Sequence, residues 1–209
     1  MISQKSIEAI RKAIRFKYDE HVGILLAIPN AHLHKIEPNR GIPFTGILES
    51  YNKDTGKELN RYGEEIKAEV FRGLEKLKLS EFSEEDKKAI LHIIDEYCNP
   101  ELYLKRFELM VKSIERKTRS YGIKIDLTKN RIDIPKSICE SYSRNTTQRI
   151  RSKIENELDF IIESFSSEGN ETESKVSDVT NCLELKPNLF GLGLNLNAII
   201  DKIFKRKKK

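Results

Sequence analysis

The sequence predicts a mainly α-helical bundle with a short β-hairpin insertion, followed by a linker and a docking segment. Hydrophobic residues make up 38% of the 209 residues, enough for a packed core, and they recur at helical spacing in several long segments. Charged residues make up 34%, which is typical of helices with solvated outer faces. We expect a helical domain over residues 1–166, a flexible acidic linker over 167–186 and an apolar-basic segment over 187–209.

The N-terminal half of the chain predicts three helices and one long connection. Apolar residues recur at helical spacing from residue 7 onward, and a compact apolar run then ends at Pro29. Three prolines within residues 29–46 predict an irregular connection there. A second helical stripe covers residues 59–77, and Ser83 with the three acids after it predicts a capped start for a third helix.

The second half predicts one well-marked helix, a hairpin and a last long helix. Asn99 followed by Pro100 is a helix start signal, and Gly122 is the corresponding stop signal. Apolar residues then alternate with polar ones on both sides of a short polar turn, which predicts a β-hairpin at about residues 123–134. The last helix has apolar residues at helical spacing from Ile150 to Phe165, and it is expected to begin within residues 137–147.

Charge is strongly segregated along the chain. Residues 101–153, the basic middle block, hold 14 bases and 6 acids, whereas residues 154–184 hold 9 acids and one base. The last nine residues hold six bases and one acid, which accounts for the whole net charge of +5. We expect the acidic stretch to screen a basic face by lying on it, because physiological salt screens charges separated by more than about 8 Å.

An apolar stretch directly precedes the C-terminal bases. Phe190 and the leucines after it alternate with glycine and asparagine, which is strand periodicity, and Asn197 could then cap a short helix. The same residues could instead form one helix in a membrane interface, or pack on the protein's own body. The residues predicted to dock are Phe190, Leu192, Leu194, Leu196, Ile199, Ile200, Ile203 and Phe204.

Several bases are candidates for binding phosphate groups. Those at the end of the helix that stops at Gly122 meet those at the start of the last helix if the connection between the two helices is short. With the C-terminal bases, they predict binding to nucleic acid or to an anionic membrane surface. The alternative is a solvated face whose bases pair with acids such as Glu155. The candidates are Arg116, Lys117, Arg119, Arg144, Arg149, Arg151, Lys153, Lys205, Arg206, Lys207, Lys208 and Lys209.

One short motif near the N-terminus is a candidate catalytic motif. Arg15 and His21 lie six positions apart on the predicted first helix. This spacing resembles the Arg-x(4 to 6)-His signature of the HEPN-type helical ribonucleases, in which the arginine and the histidine act on the RNA phosphodiester. The resemblance covers seven residues and implies a metal-independent ribonuclease. Residues 144–149 match this signature only in part: they begin with Arg-Asn, but Arg149 stands where that family has its histidine.

The sequence lacks motifs for disulfides, metal binding, membrane insertion and secretion. Three widely spaced cysteines indicate neither a disulfide framework nor a zinc site and favour a reducing cytoplasm. His32 and His34 have no second pair of ligands at metal-site spacing, so we expect no metal and no cofactor. No apolar run is long enough for a transmembrane helix, and the N-terminus lacks the apolar core of a secretory signal.

The sequence therefore favours a cytoplasmic binding protein over an enzyme. We expect an accessory or adaptor subunit that engages an anionic surface or a larger protein partner through its basic middle block and its C-terminal segment. A protein partner or a homo-oligomer is expected, with nucleic acid or an anionic membrane surface as alternatives; in the last case the protein would be a peripheral membrane protein. The competing hypothesis is the ribonuclease that uses Arg15 and His21.

Overall fold

The computed structural model describes residues 2–36, 44–77, 82–123 and 132–166. These residues form five α-helices, and no β-strand occurs among them, so the prediction of a mainly α-helical protein is confirmed. None of the helices within the described ranges combines the length and the apolar character needed to cross a bilayer. The helices are α1 (Gln4–Leu33), α2 (Phe44–Lys76), α3 (Glu84–Tyr97), α4 (Glu101–Ser120) and α5 (Asp133–Ser166).

Helices α3 and α4 act as one interrupted rod, which makes the architecture a bundle of four rods. Helix α5 runs antiparallel to this rod and contacts both of its parts. Ion pairs mark the path of α5, first along α4 and then along α3: Lys136–Glu108, Arg144–Glu101 and Arg151–Asp95. Helix α1 packs antiparallel to α2 and parallel to the α3–α4 rod, so the core lies between the four rods.

The interruption between α3 and α4 lies where the sequence predicts it. The side-chain oxygen of Asn99 accepts a hydrogen bond from the backbone N–H of Glu101 at 2.9 Å, which satisfies one of the free N–H groups at the start of α4. At the other end, Gly122 has a φ of 74°. The N–H of Ile123 returns to the carbonyl of Thr118 at 3.0 Å, which is the Schellman geometry that favours glycine. Both predicted boundaries of α4 are confirmed.

The predicted connection over residues 29–46 was wrong at both ends. Helix α1 continues through Pro29 to Leu33, and α2 already begins at Phe44. Proline removes one hydrogen bond within the helix, but the last turns of α1 are held by packing, since Leu25 and His32 are fully buried and His32 Nε2 lies 3.1 Å from Asp54 Oδ2 on α2. Tertiary contacts thus override the local proline signal.

The predicted β-hairpin is not supported by the described residues. Ile132 lies in a turn, and Ile134, expected in the second strand, lies in the first turn of α5. Most of the rest of the hairpin, residues 124–131, lies outside the described residues. The predicted start of the last helix within residues 137–147 was also too late, because Pro135 is tolerated in a first helical turn, where its missing N–H has no intrahelical partner.

The core is rich in aromatic side chains. The largest fully buried ones are Tyr51, Tyr62, Tyr103, Phe71 and Phe107. The predicted cap at Ser83 is confirmed as a capping box with Asp86, whose carboxylate also accepts a hydrogen bond from the N–H of Ile2 at 2.7 Å. This contact attaches the start of α1 to the start of α3.

Candidate functional site

The candidate site lies between two parallel helices, α2 and α5. The two helices approach each other closely at Gly63, where an added Cβ would lie 2.5 Å from side-chain atoms of Ile150. Towards their N-terminal ends they are held together by a hydrogen bond from Asn52 Nδ2 to the carbonyl of Pro135 at 2.8 Å. Between these two contacts the helices enclose a cavity of about 430 Å³.

The cavity has mainly apolar walls. Leu59 and Tyr103 lie on one side, with Ile138, Cys139 and Tyr142 of α5 on the other. Its volume is in the range of small-molecule pockets, and it could equally take one or two large side chains of a bound polypeptide. The arrangement suits an apolar group that enters from the surface.

Two polar atoms at the cavity lack hydrogen-bond partners among the described residues. One is the hydroxyl of Thr55, whose residue is 5% exposed, and the other is the side-chain oxygen of Asn52. The Thr55 hydroxyl lies near the Tyr51 hydroxyl, but the two form no hydrogen bond of good geometry. A buried polar group without a partner costs about 1–3 kcal/mol. Both atoms have almost no accessible surface, so a bound molecule reaches them only if neighbouring side chains move.

An exposed apolar stripe leads into the cavity. Ile134, Ile138 and Tyr142 follow one another at intervals of four residues on α5 and are 37%, 48% and 41% exposed. The last two of these side chains also line the cavity. We call the cavity and this stripe together the α2–α5 groove.

Tyr142 is held at the edge of the groove by two neighbours on α2. Its ring lies against Gly56, where an added Cβ would be 2.9 Å from Tyr142 Cε1. Its hydroxyl accepts a hydrogen bond from Asn60 Nδ2 at 2.7 Å, and Asn60 Oδ1 accepts one from Arg149. The absence of a side chain at residue 56 therefore shapes the groove.

The structure does not bring the two parts of the predicted phosphate-binding cluster together. Because α5 begins at Asp133, Arg144 lies about 16 Å along this helix instead of at its start. It is 3.9 Å from Glu101 at the beginning of α4, whereas Arg116 and Arg119 lie near the end of α4, about 25 Å away. The bases form two separate surfaces.

Most of these bases already have partners on the protein. Arg144 pairs with Glu140 at 3.0 Å, and Lys117 donates a hydrogen bond to the carbonyl of Leu33 at 2.7 Å. The pairs further along α5 are Arg151 with Asp95 and Glu155, and Lys153 with Glu64. Arg116 and Arg119 are exposed near the end of α4. The bases on α5 thus fit the expected alternative of a solvated, ion-paired face.

His21 is fully buried, and Arg15 does not approach it. Six residues correspond to a rotation of about 240° around a helix, which places exposed Arg15 on another side of α1. His21 stacks on Tyr62, with the ring centroids 4.1 Å apart. Its Nδ1 lies 2.8 Å from Glu58 Oε1, and its Nε2 lies 2.6 Å from the Tyr103 hydroxyl. Both ring nitrogens are therefore occupied by internal partners.

Burial and the neighbouring charged groups together determine the protonation state of His21. Burial lowers the pKa of His21, against the opposing effect of Glu58. Burial alone would raise the pKa of Glu58, but hydrogen bonds from Arg61 and His21 outweigh it and lower that pKa. A neutral His21 then donates from Nδ1 to the Glu58 carboxylate and accepts the Tyr103 O–H at Nε2. This network joins α1, α2 and α4, and through Tyr103 it supports the wall of the cavity.

Within the described part of the chain, neither cysteine is an activated nucleophile and no cluster of metal ligands occurs. Burial raises the pKa of Cys139 to about 11 and that of Cys98 to about 12, so both thiols are protonated at neutral pH. Within the same residues, no group of three or more His, Cys, Asp or Glu side chains could hold a metal ion. His32 instead contacts Asp54.

The groove could have been predicted only in part. The four-residue spacing of Ile134, Ile138 and Tyr142 was visible, but the first of these was assigned to the hairpin. The contribution of Gly56 and Thr55 depends on the parallel packing of α2 and α5, which has no local signal. The predicted docking residues, Phe190 to Phe204, and the C-terminal bases, Lys205 to Lys209, lie outside the described residues.

Comparison of the chain with protein family models, curated proteins and solved structures found no match.

Proposed function

We propose that this chain is a non-catalytic binding protein, an accessory or adaptor subunit, whose α2–α5 groove receives an apolar segment of a larger protein partner. The observation that carries the proposal is the continuity between the exposed stripe of Ile134, Ile138 and Tyr142 and the cavity beside it. An apolar surface that continues into a cavity is typical of a site for another molecule, because scattered exposed apolar residues have no such continuation.

The shape of the groove favours a polypeptide over a small molecule. A small ligand would fill the cavity but leave the stripe exposed, whereas a peptide could cover Ile134 and Ile138 while inserting one side chain next to Tyr142. A peptide also carries backbone N–H and C=O groups, and the exposed side chains of Glu49 and Lys53, which line the cavity, could bind them. The groove thus offers both apolar contact and polar partners.

The basic middle block gives weaker support for an anionic partner. Arg144, Arg151 and Lys153 have carboxylates within 3.2 Å, so a phosphate group would have to replace existing ion pairs. Exposed ion pairs contribute at most about 1 kcal/mol each, which makes such an exchange feasible but not favoured. Binding to nucleic acid or to an anionic membrane would therefore require these ion pairs to open.

The test is a selection of random displayed peptides on the full chain, with the Tyr142→Asp variant as counter-target. We expect the selected peptides to be rich in apolar residues and to bind the variant at least tenfold more weakly. The matched control is Leu26→Asp, which places the same charge on an apolar side chain of α1 that is 52% exposed and does not line the groove. Peptides that bind the wild type and the Tyr142→Asp variant equally would contradict the proposal.

The same three proteins are then mixed with anionic vesicles, neutral vesicles and single-stranded RNA across a salt series. We expect no binding that depends on Tyr142. Binding to vesicles or RNA that falls steeply with salt and is unchanged in the Tyr142→Asp variant, together with no groove-dependent peptide, would assign the function to the bases instead. RNA that is shortened during incubation would revive the ribonuclease hypothesis, and Arg15→Ala, a change at an exposed residue, would then be assayed for loss of cleavage.

A further inference from the structure

We infer that the α2–α5 groove is occupied by a segment of this same chain, residues 190–204, which a partner protein must displace. The inference rests on the proposed function of the groove and names its resident occupant. The segment contains the alternating apolar residues Phe190, Leu192, Leu194 and Leu196, which need an apolar surface to cover them.

The apolar side chains from Phe190 to Leu196 and those of the exposed stripe on α5 recur at nearly the same spacing. Side chains on one face of an extended segment recur about every 6.6 Å, since two residues advance about 3.3 Å each. The stripe of Ile134, Ile138 and Tyr142 recurs about every 6 Å along α5, because four helical residues advance about 1.5 Å each. An extended segment lying along α5 could therefore place successive apolar side chains between those of the helix. The cavity next to Tyr142 offers space for the largest of them, Phe190.

The chain is long enough to return to the groove. Helix α5 ends at Ser166, about 36 Å from Tyr142 along the helix axis. Residues 167–189 connect this end to the segment, and 23 extended residues can span about 75 Å. The connection therefore reaches the groove without full extension.

Charge complementarity favours this return path along α5. Residues 167–184 contain five acids and one base. A chain that runs back from Ser166 towards Tyr142 along the side of α5 next to α2 passes Lys153 and Arg149, whose side chains are exposed there. The acidic connection would supply these bases with further partners, as the segregation of charge along the sequence suggests, and its position would bring residues 190–204 to the groove.

The first test is disulfide cross-linking in the full chain. One variant combines Ile138→Cys with Leu192→Cys, and its matched control combines Leu26→Cys with Leu192→Cys; both carry Cys182→Ser and Cys139→Ala to remove competing thiols, since Cys139 itself lines the cavity. We expect the Ile138 pair to form an intramolecular disulfide at least ten times faster than the Leu26 pair. Equal rates would overturn the inference, and a disulfide-linked dimer as the main product would overturn the intramolecular arrangement in favour of a second copy.

The second test separates failure of this inference from failure of the proposed function. The selected peptides are titrated against the full chain and against a variant with Leu192→Asp, Leu194→Asp and Leu196→Asp. An intramolecular competitor present at an effective concentration of about 1 mM, with an intrinsic Kd of about 0.1 mM, weakens peptide binding about tenfold, so the variant should bind about tenfold more tightly. The control Val176→Ser, which adds no charge to the acidic connection, should leave the affinity unchanged.

The outcomes are distinct for the two proposals. If peptides bind through Tyr142 but the three leucine substitutions change nothing, the groove is a binding site and the inferred occupant is wrong. If no peptide depends on Tyr142 and the cross-link is also absent, both proposals fail. A fast Ile138 cross-link without any selected peptide would support the occupant and restrict the groove to this internal contact.

Discussion

His21 Nδ1 lies 2.8 Å from Glu58 Oε1 in the interior of the bundle, where the pair joins α1 to α2. The second ring nitrogen of His21 contacts the Tyr103 hydroxyl on α4, so one side chain links three helices. Such a fully bonded polar group specifies how the helices align, because any shift of one of them would leave a buried donor or acceptor without a partner.

Replacing His21 by alanine should destabilise the protein by about 3 kcal/mol, because the Glu58 carboxylate and the Tyr103 hydroxyl would lose a buried partner. Urea denaturation followed by circular dichroism would measure this. His92→Ala is the control: His92 is exposed on α3, and its removal should change the free energy of unfolding by no more than about 0.5 kcal/mol. Equal stability of the two variants would show that the network contributes little.

Stability should also decrease as the pH falls below 6.5. Burial lowers the pKa of both His21 and His32 from 6.5, so the unfolded chain binds protons that the folded chain does not. The stabilisation is complete above 6.5 and is lost towards the lower pKa of the folded state, with a slope of up to about 1.4 kcal/mol per pH unit for each histidine. Urea titrations between pH 7.5 and pH 5 would measure the slope, which His21→Ala should reduce; a flat profile in the wild type would be inconsistent with neutral buried histidines.

Gly63 sets the distance between α2 and α5. An added methyl group would meet Ile150 side-chain atoms at 2.5 Å, so Gly63→Ala should destabilise the protein by about 1–3 kcal/mol through overpacking. Gly23→Ala is a matched control within α1, since no other atom lies within 4 Å of the added Cβ; it should stabilise by about 0.5–1 kcal/mol through helix propensity. Thermal unfolding of both variants measures these changes in stability. A change of the same sign in both would contradict the role assigned to Gly63.

The sequence predicted best those features that depend on neighbouring residues. The boundaries of α4 follow from Asn99, Pro100 and Gly122, and the start of α3 follows from Ser83, because caps and turns act over three to five residues. Pro29 misled for the opposite reason: burial of Leu25 and His32 against other helices holds α1 together beyond a local break signal.

The groove lay beyond sequence reasoning because it is a relationship between helices that are distant in the chain. Gly56 and Tyr142 are 86 positions apart, and only the parallel alignment of α2 and α5 places the ring of one against the backbone of the other. Likewise, the spacing between Arg15 and His21 resembles a catalytic signature, but spacing along a helix does not show which face of the helix is buried. The apolar neighbours Ile14 and Leu25 share the buried face of α1 with His21.

The two described cysteines should differ in how alkylation responds to the groove. Burial raises the pKa of Cys139 to about 11 from 9.0, so at pH 7.5 its thiolate fraction is about a hundredfold lower than that of an ordinary thiol, and that of Cys98 is lower still. Both are buried, but Cys139 lines the cavity and Cys98 does not. Alkylation with iodoacetamide, located by peptide mapping, should modify Cys139 before Cys98. Tyr142→Ser should accelerate the reaction of Cys139 alone, because the cavity edge loses its ring; an equal acceleration at Cys98 would indicate general loosening of the fold instead of access through the groove.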